Sequence, residues 1–306
     1  MNKTVCVITG GGSGMGLAAA KEMPKDKIIM LTGRTVKKLE NAVNELTALG
    51  YEAHAFACDV SRREDARALA EYAASLGEIK NVIHAAGLSP AMAKPEQLLR
   101  VNALGTVHVN QEFSRLMGPG SVMVDVSSNA AYVLPDFLVG KELCRLAEKD
   151  EEKFVHRLLK LCGLVPGDYQ KSGLAYALSK KFVIRYAQMC ASAYGEKGIR
   201  VVSLSPGLIA TDMGILEAQE GGKMLQFAAE KRMGTPEELG YALASLADER
   251  NSYLAGVDVL CDGGASFGKL FRKKEKEQKT RQTAVSAALD LIGREAIFPP
   301  FCVTIN

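Results

Sequence analysis

The sequence predicts an α/β fold with a parallel sheet, and two observations lead to this prediction. Apolar, β-branched runs that are typical of buried parallel strands alternate with amphipathic segments that are typical of helices. The 306 residues are 47% hydrophobic and 24% charged, which is enough to build a full core in one large domain or two small ones. We therefore expect a folded chain rather than a disordered one.

The first predicted strand, residues 4–8, runs into a glycine-rich turn at residues 9–16, and a helix is predicted behind it at residues 17–22. Glycines accept positive φ and let a ligand approach bare backbone, while the unpaired amides at a helix start attract a pyrophosphate. The spacing Gly10-x3-Gly14-x-Gly16 differs from G-x-G-x-x-G but allows the same physical role. The alternative is a turn with no ligand.

The second predicted strand, residues 27–32, is followed by Gly33, Arg34 and Thr35. An acidic residue at this strand end would accept hydrogen bonds from a ribose 2′-hydroxyl, whereas a cation would pair with a 2′-phosphate. The sequence offers Arg34 and no acid nearby, so it favours NADP(H) over NAD(H). A solvated surface arginine is the alternative.

The third predicted strand, residues 53–57, ends in Cys58-Asp59-Val60. Asp59 stands where a carboxylate could bond an adenine amino group, and it could equally compensate the positive start of a helix. Residues 61–64, Ser-Arg-Arg-Glu, predict a capping box for the helix that follows.

The fourth predicted strand, residues 80–84, ends in His84 and the small residues Ala85-Ala86-Gly87, which would let a cofactor lie against the backbone. We expect His84 to be a packed, hydrogen-bonded strand end rather than a metal ligand, because no second ligand sits at suitable spacing. Asn102 is a polar residue on an otherwise apolar helix face.

The fifth predicted strand, residues 121–126, ends in Ser127-Ser128-Asn129. Serine pairs at strand ends usually form turns, but here a Tyr and a Lys elsewhere in the chain suggest a chemical role. Tyr176 and Lys180 lie four positions apart in an amphipathic helix, so the phenol and the ammonium point the same way. A nearby cation favours phenolate and lowers the tyrosine pKa toward a range useful for proton transfer.

Composition excludes several function classes. The seven cysteines form no CxxC pair and several lie in apolar runs, which indicates reduced core thiols rather than disulfides or a zinc site. No apolar run approaches membrane-spanning length, and the N-terminus lacks the order of a signal peptide. We expect a cytoplasmic protein without a metal site. Residues 269–281 alone carry a net charge of +5. The whole chain carries +3, so the remaining residues carry −2, which argues against nucleic-acid binding.

Taken together, these motifs resemble the short-chain dehydrogenase/reductase family in their order along the chain. Residues 206–211 resemble the family's loop beside the nicotinamide, and residues 259–264 resemble its last strand. The resemblance implies one dinucleotide-binding catalytic domain over residues 1–266, with a doubly wound, Rossmann-like parallel sheet of about seven strands.

The resemblance also implies the chemistry, a hydride transfer between a nicotinamide ring and a carbonyl or alcohol. Tyr176 then donates or accepts the proton, Lys180 lowers the pKa of Tyr176 and bonds the nicotinamide ribose, and Ser128 polarises the substrate oxygen. Asn102 would hold a water that relays protons to Lys180, and Thr211 would bond the carboxamide. The residues expected to bind the cofactor are Gly10, Gly12, Ser13, Gly14, Met15, Gly16, Arg34, Asp59, Val60, Ala85, Ala86, Gly87, Tyr176, Lys180, Pro206, Gly207, Ile209 and Thr211.

Two departures from the family stand out. His84 occupies a position where the family usually has asparagine, which puts one contact between sheet and cofactor in doubt. Ser128 and Tyr176 are 48 positions apart, where most members have a little over a dozen. The insertion, residues 135–171, has apolar residues at helical spacing, and a similar insertion marks bacterial enzymes resembling 3α-hydroxysteroid dehydrogenase/carbonyl reductase. In that group it obstructs the helix interface of the usual tetramers, so we expect a homodimer; a surface lid with no role in assembly is the alternative.

Residues 212–233 occupy the position of the family's mobile substrate loop, and their apolar side chains suit a hydrophobic ketone. The leading hypothesis is an NADP(H)-dependent oxidoreductase acting on a hydroxysteroid-like or other apolar carbonyl. The alternatives are a 3-oxoacyl-thioester reductase, which needs a basic patch for a carrier phosphate, and a nucleotide-sensing protein without turnover, a class that commonly loses the Tyr or Lys kept here.

The C-terminal extension, residues 267–306, departs from the family and begins with the basic segment. A basic amphipathic tail fits a membrane surface or an acidic partner, but we favour packing on its own subunit or on a neighbouring one.

Overall fold

Seven parallel strands form the central sheet of the computed structural model, which describes residues 3–268 and 271. The strands are β1 (Thr4–Thr9), β2 (Lys27–Gly33), β3 (Glu52–Ala57), β4 (Glu78–His84), β5 (Val122–Val126), β6 (Arg200–Pro206) and β7 (Asp258–Cys261). Their order is β3-β2-β1-β4-β5-β6-β7, so the winding direction reverses between β1 and β4. The crevice outside this reversal is where an open parallel sheet binds ligands. The predicted doubly wound parallel sheet is confirmed.

The helices cover both faces of the sheet. They are α1 (Gly14–Glu22), α2 (Val36–Ala48), α3 (Arg63–Leu76), α4 (Pro95–Leu98), α5 (Gly105–Ser114), α6 (Lys141–Lys149), α7 (Glu151–Cys162), α8 (Asp168–Gly195), α9 (Asp212–Gly221) and α10 (Pro236–Ala247). Buried side chains of α1, α2 and α10 form one core cluster with the sheet, and those of α3, α5 and α8 form the other. Strands β1, β4, β5 and β6 are almost entirely buried, which explains why they are apolar on both faces.

The insertion between Ser128 and Tyr176 folds into α6 and α7, as the helical spacing predicts. Phe154 of α7 is fully buried against Phe182 of α8, with ring centroids 4.9 Å apart. Glu148 of α6 accepts a hydrogen bond of 2.9 Å from the Tyr186 hydroxyl on the same α8. The insertion therefore belongs to the core on this face and is more than a surface lid.

One local prediction was wrong. The predicted capping box at residues 61–64 is absent among the described contacts, because α3 is preceded by Arg62 and the Ser61 hydroxyl donates instead to Asp59 Oδ1 at 2.7 Å. An Asx-type turn has replaced the cap. Helix α8 begins at Asp168, inside the range assigned to the insertion, so the insertion's last residues extend the helix that carries Tyr176.

None of the helices in the described part of the chain is long and apolar enough to cross a membrane. Six of the cysteines lie within residues 3–268, and all six are free thiols. The predicted basic tail and the rest of the C-terminal extension fall almost wholly outside the described residues.

Candidate active site

The glycine turn after β1 is shaped by close backbone contacts. Gly10 has φ of +67°, and a Cβ on it would lie 2.9 Å from the carbonyl atoms of Ala85 at the end of β4. A Cβ on Gly16 would lie 2.5 Å from the Gly10 carbonyl oxygen. Ser13 precedes α1 without capping it through its side chain. Gly10 and Gly16 therefore accept only glycine, and the start of α1 beside them carries the unpaired amides that suit an anion.

A cavity of about 250 Å³ extends from this turn toward the end of β2. Its lining includes the predicted residues Gly10, Gly12, Ser13, Arg34, Asp59, Val60, Ala86 and Gly87. Thr35 and Lys38 also line it. Lys38 Nζ lies 3.8 Å from Asp212 Oδ2, whereas Arg34 makes no salt bridge with any described residue. Two cations therefore flank one end of this cavity, while Asp59 is engaged locally by the Ser61 amide and hydroxyl.

His84 is a buried strand end, as expected. Its Nδ1 lies 2.8 Å from Thr9 Oγ1, and Thr9 Oγ1 accepts a hydrogen bond from the Ala86 amide. Burial and the charge of Lys180 lower the pKa of His84 to about 3, so its ring is neutral. The neutral ring ties the ends of β1 and β4 to the segment that lines the cavity.

Helix α8 is pinned to the end of β5 by two hydrogen bonds. The Lys180 ammonium donates to the Val126 carbonyl at 2.9 Å, and the Ser127 hydroxyl donates to the Lys180 carbonyl at 2.7 Å. Ser128 follows, and its Oγ accepts from the Ala130 amide at 3.1 Å. This packing places Ser128 beside Tyr176 although they are far apart in sequence.

Tyr176 and Ser128 form a pair of hydroxyls at the mouth of the crevice. Burial raises the pKa of the Tyr176 phenol, the charge of Glu217 raises it further, and the hydrogen bond with Ser128 lowers it. The pKa of Tyr176 is therefore raised, opposite to the lowering that the sequence predicts from Lys180, whose ammonium lies 5.9 Å from the centre of the Tyr176 ring. The phenol is protonated at neutral pH.

Lys180 sits between two carboxyl groups. Burial lowers the pKa of Lys180 to about 8, and the charges of Glu217 and Asp125 oppose that shift. Asp125, within β5, is buried and accepts bonds of 2.9 and 3.0 Å from Asn110 Nδ2. Burial raises the pKa of Asp125 to about 7, so both groups titrate near neutrality.

Asn102 lies in a short π-helical segment, Leu99–Leu104, of the kind often found at functional sites. Its Oδ1 accepts from the Leu88 amide at 2.8 Å, and its Nδ2 donates to the Leu88 carbonyl at 2.9 Å. A Cβ on Gly87 would lie 3.2 Å from Asn102 Oδ1 and 3.3 Å from the Lys180 ammonium. Asn102 therefore fixes the loop after β4 next to Lys180.

A recess of about 70 Å³ joins Ser128, Tyr176 and Lys180 to the start of α9. Its lining includes the predicted residues Met15, Ala85, Gly87, Ser128, Tyr176, Lys180, Pro206, Gly207, Ile209 and Thr211. The Thr211 hydroxyl caps α9 by accepting from the Gly214 amide at 3.1 Å. Of the predicted residues, Gly14, Gly16 and Asn102 support this recess and the 250 Å³ cavity without lining either.

A larger cavity of about 410 Å³ adjoins the recess and shares Ser128, Tyr176 and Glu217 with it. Apolar side chains from the segment after β6 and from α10 cover much of its wall, namely Leu208, Ile209, Met224, Leu225 and Leu239. Tyr169, contributed by the extended start of α8, lines it too. This cavity can receive an apolar molecule whose polar group meets the two hydroxyls.

Sequence reasoning missed three charged residues of the site. Lys38 lies in the first turn of α2, four positions after Arg34, which precedes that helix, and this closeness in sequence could have marked a second cation. Asp125 is an acid inside an apolar strand, which is itself a warning of a functional or paired group. Glu217 gave no such indication, because the sequence around α9 does not show that the fold brings Glu217 close to Lys180.

Comparison with known proteins gives matches to two family models along the chain. The model described as short chain dehydrogenase matches residues 4–137, and the one described as enoyl-(acyl carrier protein) reductase matches residues 165–266. Helices α6 and α7 of the insertion fall between the two matched segments.

Relatives and solved structures match nearly the whole described chain. The short-chain dehydrogenase/reductase bsc3 of Alternaria brassicicola is 31% identical over 273 residues, covering 87% of this chain and 96% of that protein. The 7alpha-hydroxysteroid dehydrogenase of Escherichia coli K12 is 24% identical, covering 84% of this chain and 92% of that protein.

A short chain dehydrogenase from Burkholderia cenocepacia J2315, solved in complex with NADP, superposes with a TM-score of 0.68 at 22% identity. The superposition covers 86% of this chain and 97% of the Burkholderia chain. The glycine turn, the Ser128, Tyr176 and Lys180 cluster and these matches agree, and the chain belongs to the short-chain dehydrogenase/reductase family, oxidoreductases that use a nicotinamide cofactor on alcohols and carbonyls.

Proposed function

We propose that this protein is an NADP(H)-dependent oxidoreductase that interconverts an apolar ketone and its secondary alcohol, with hydroxysteroid-like rings among the candidate substrates. The observation that carries the proposal is the meeting of the Ser128 and Tyr176 hydroxyls with Lys180 where the 410 Å³ cavity joins the recess. Two donors aimed at one point suit the oxygen of a carbonyl that gains negative charge during reduction.

Each of the three side chains has a distinct role in this proposal. Ser128 holds the substrate oxygen, and Tyr176 gives that oxygen a proton in reduction or takes one in oxidation. The raised pKa of Tyr176 keeps the phenol protonated, which is the form that reduction requires. Lys180, whose pKa is near 8, holds a positive charge beside the phenol over most of the neutral range. Asn102 keeps the loop after β4 in place, and the water that it would hold relays protons toward Lys180.

The residues around the glycine turn fit a dinucleotide. Gly10 and Gly16 let the turn pack closely against the loop after β4 and against itself, where any Cβ would clash with backbone, and the start of α1 suits a pyrophosphate. When bound, the nicotinamide supplies the hydride. Ala85, Ala86, Gly87, Pro206, Gly207, Ile209 and Thr211 form the walls on the nicotinamide side, with Thr211 bonding the carboxamide, and Asp59 and Val60 lie on the adenine side.

The preference for NADP(H) rests on cations at the far end of the 250 Å³ cavity. Arg34 and Lys38 are exposed there beside Thr35, an arrangement that suits a 2′-phosphate. The Burkholderia protein, which has the same fold, was solved with NADP, so this fold can hold that cofactor.

The substrate preference rests on the apolar wall of the 410 Å³ cavity and on the named activity of the Escherichia coli relative. An acyl-carrier thioester is disfavoured. Arg232 is the one cation among the described residues that line this cavity, and Glu238 already binds it at 2.7 Å.

A homodimer is part of the proposal. Helices α6 and α7 cover the outer side of α8 with Phe154 and Glu148, which removes that side of α8 from a subunit interface. Light scattering should report a dimer, and a tetramer would contradict this assignment. The free thiols among the described cysteines support a cytoplasmic location.

The test is turnover, followed by nicotinamide absorbance, with NADPH and NADH separately on steroid, small cyclic, aromatic and acyl-thioester ketones. We expect turnover with NADPH on steroid or small cyclic ketones, and a loss of about 10²- to 10⁴-fold in kcat for Tyr176→Phe. Cofactor binding without turnover on any ketone would favour the nucleotide-sensing alternative, and turnover on thioesters alone would favour the acyl reductase.

A further inference from the structure

Glu217 is an acidic side chain that α9 brings into the junction of the 410 Å³ cavity and the recess. Its oxygen Oε1 is buried and has no hydrogen-bond partner within the described part of the chain. The carboxylate is close enough to Tyr176 and Lys180 for its charge to act on both. Glu217 thus shares the space into which a substrate's reacting carbon must come.

Ser89, from the loop after β4, meets Glu217 at the same place. Its side chain is fully buried, and its Oγ likewise lacks a hydrogen-bond partner of normal geometry among the described residues. The Ser89 hydroxyl is close enough to the Glu217 carboxylate to lower the pKa of Glu217 through a side-chain hydrogen bond. Two buried polar side chains, brought together from positions 128 residues apart, therefore meet at one point of the site.

Leaving buried polar atoms unsatisfied costs free energy, so such atoms usually have an explanation. Lys180 offsets the charge of Glu217, but its ammonium donates to the Val126 carbonyl and leaves Oε1 without a bond. A ligand that carries its own donor would satisfy Oε1. A carboxylate only accepts hydrogen bonds, whereas a serine hydroxyl both donates and accepts, so the matching ligand group must be a donor.

The other acids that line the cavity are already engaged or exposed. Glu238 accepts from Arg232 at 2.7 and 2.9 Å. Glu230 keeps 69% of its side chain exposed and lies 3.8 Å from Arg232. Asp262 accepts from the Gly264 and Ser266 amides. Among the described residues, Glu217 is the one acid of this set with a buried oxygen that lacks a hydrogen-bond partner.

We propose that Glu217 and Ser89 form a specificity site for a second polar group of the substrate, a hydroxyl or ammonium on a carbon next to the reacting one. This inference rests on the proposed function and narrows it to vicinal diols and amino alcohols, with their ketones, held in an otherwise apolar cavity. The second group donates to Glu217 Oε1 while the reacting oxygen meets Ser128 and Tyr176.

The experiment compares three matched ring alcohols, cyclohexanol, 1,2-cyclohexanediol and 2-aminocyclohexanol, each of the last two as cis and trans isomers. The wild-type enzyme should show at least a tenfold higher kcat/KM with NADP⁺ for a diol or amino alcohol than for cyclohexanol. Glu217→Leu should abolish that preference, measured as the ratio of kcat/KM for the diol or amino alcohol to kcat/KM for cyclohexanol. Glu217→Gln keeps an acceptor without charge, so it should weaken the preference for the amino alcohol more than that for the diol.

Two further variants make the result specific. Ser89→Ala should reduce the preference in part, and Glu237→Gln, which changes an exposed carboxylate outside the cavity, should leave it unchanged. An equal loss on all three alcohols in Glu217→Leu would overturn the inference, because it would mean that Glu217 acts through Lys180 and Tyr176.

Binding separates this inference from the proposed function. Calorimetric titration of the same alcohols into the protein needs no turnover, and wild type should bind the diol or amino alcohol at least tenfold more tightly than cyclohexanol, with the difference lost in Glu217→Leu. Equal binding of all alcohols by wild type refutes the inference even if ketones are reduced. Selective binding without any turnover supports the site while refuting the proposed reaction.

Discussion

The cofactor side and the substrate side of this crevice are built in opposite ways. The cofactor side is shaped by backbone from the first 90 residues, with glycines and alanines at the ends of β1 and β4. The substrate side is assembled from side chains of α8, α9, α10 and the segment after β6, which lie far apart in sequence. Backbone that only glycine permits leaves little to vary, whereas side chains on separate elements can change one at a time. The difference teaches that close backbone contacts restrict change on the cofactor side, while the substrate side leaves room for different substrates.

The support of the substrate side should be the easiest part to break. Phe154→Ala would remove a fully buried ring packed on Phe182, and such substitutions cost about 3–5 kcal/mol of unfolding free energy. Phe137→Ala, at a position 81% exposed, should change stability by less than about 0.5 kcal/mol. Chemical denaturation measures both, and similar effects would mean that the insertion is not part of the core.

The cofactor side should respond to a single methyl group. Gly10→Ala adds a Cβ 2.9 Å from the Ala85 carbonyl atoms at a φ of +67°, and strain of this kind costs about 1–3 kcal/mol. We expect cofactor affinity to fall by roughly 5- to 150-fold without a change in substrate preference. Gly50→Ala is the control, because it has a similar φ of +87° on an exposed turn away from the crevice. Unchanged cofactor binding in Gly10→Ala would show that the turn does not shape the site.

The preference between NADPH and NADH tests the part of the cofactor side that Arg34 and Lys38 form. Arg34→Ala and Lys38→Ala each remove a cation from the 250 Å³ cavity, so each should weaken NADPH binding about tenfold and NADH binding little. Lys37→Ala, whose side chain does not line the cavity, should alter neither. Fluorescence titration with both cofactors decides this. A parallel loss for NADPH and NADH would remove the basis for the NADP(H) preference.

Asp125, buried within β5 with its charge acting on Lys180, gives a prediction for stability rather than for binding. Its pKa is raised from 3.8 to about 7 by burial, so the native state binds its proton more tightly. The free energy of unfolding therefore falls as the pH rises from about 4 to 7, and it levels off above. Asp125→Asn removes this pH-dependent loss of stability. The new side-chain amide can donate to Asn110 Oδ1, which lacks a partner among the described residues. Relative to wild type, the variant should gain about 2 °C or more in Tm between pH 5 and pH 8. The same pH dependence of Tm in the variant and in wild type would contradict the burial of a titrating acid at this position.

The same division explains what could be predicted from the sequence. Strands β1 and β2, the glycine turn and the Tyr176 and Lys180 pair are encoded by spacing within a few residues, so reading the chain locally finds them. The capping box at Ser61 was wrong because a nearby acid, Asp59, competed for the same hydroxyl. The raised pKa of Tyr176 and the approach of Glu217 depend on burial and on contacts between distant segments, and sequence spacing carries no information about either.

The most direct test of the account is a single-turnover measurement of hydride transfer from 4-deuterated and unlabelled NADPH to a cyclic ketone. The account predicts transfer that is slowed by deuterium in the wild-type enzyme and a fall of about 10²- to 10⁴-fold in Tyr176→Phe, with NADPH still bound. Equal transfer rates in the wild type and Tyr176→Phe, or no transfer at all from bound NADPH, would contradict it.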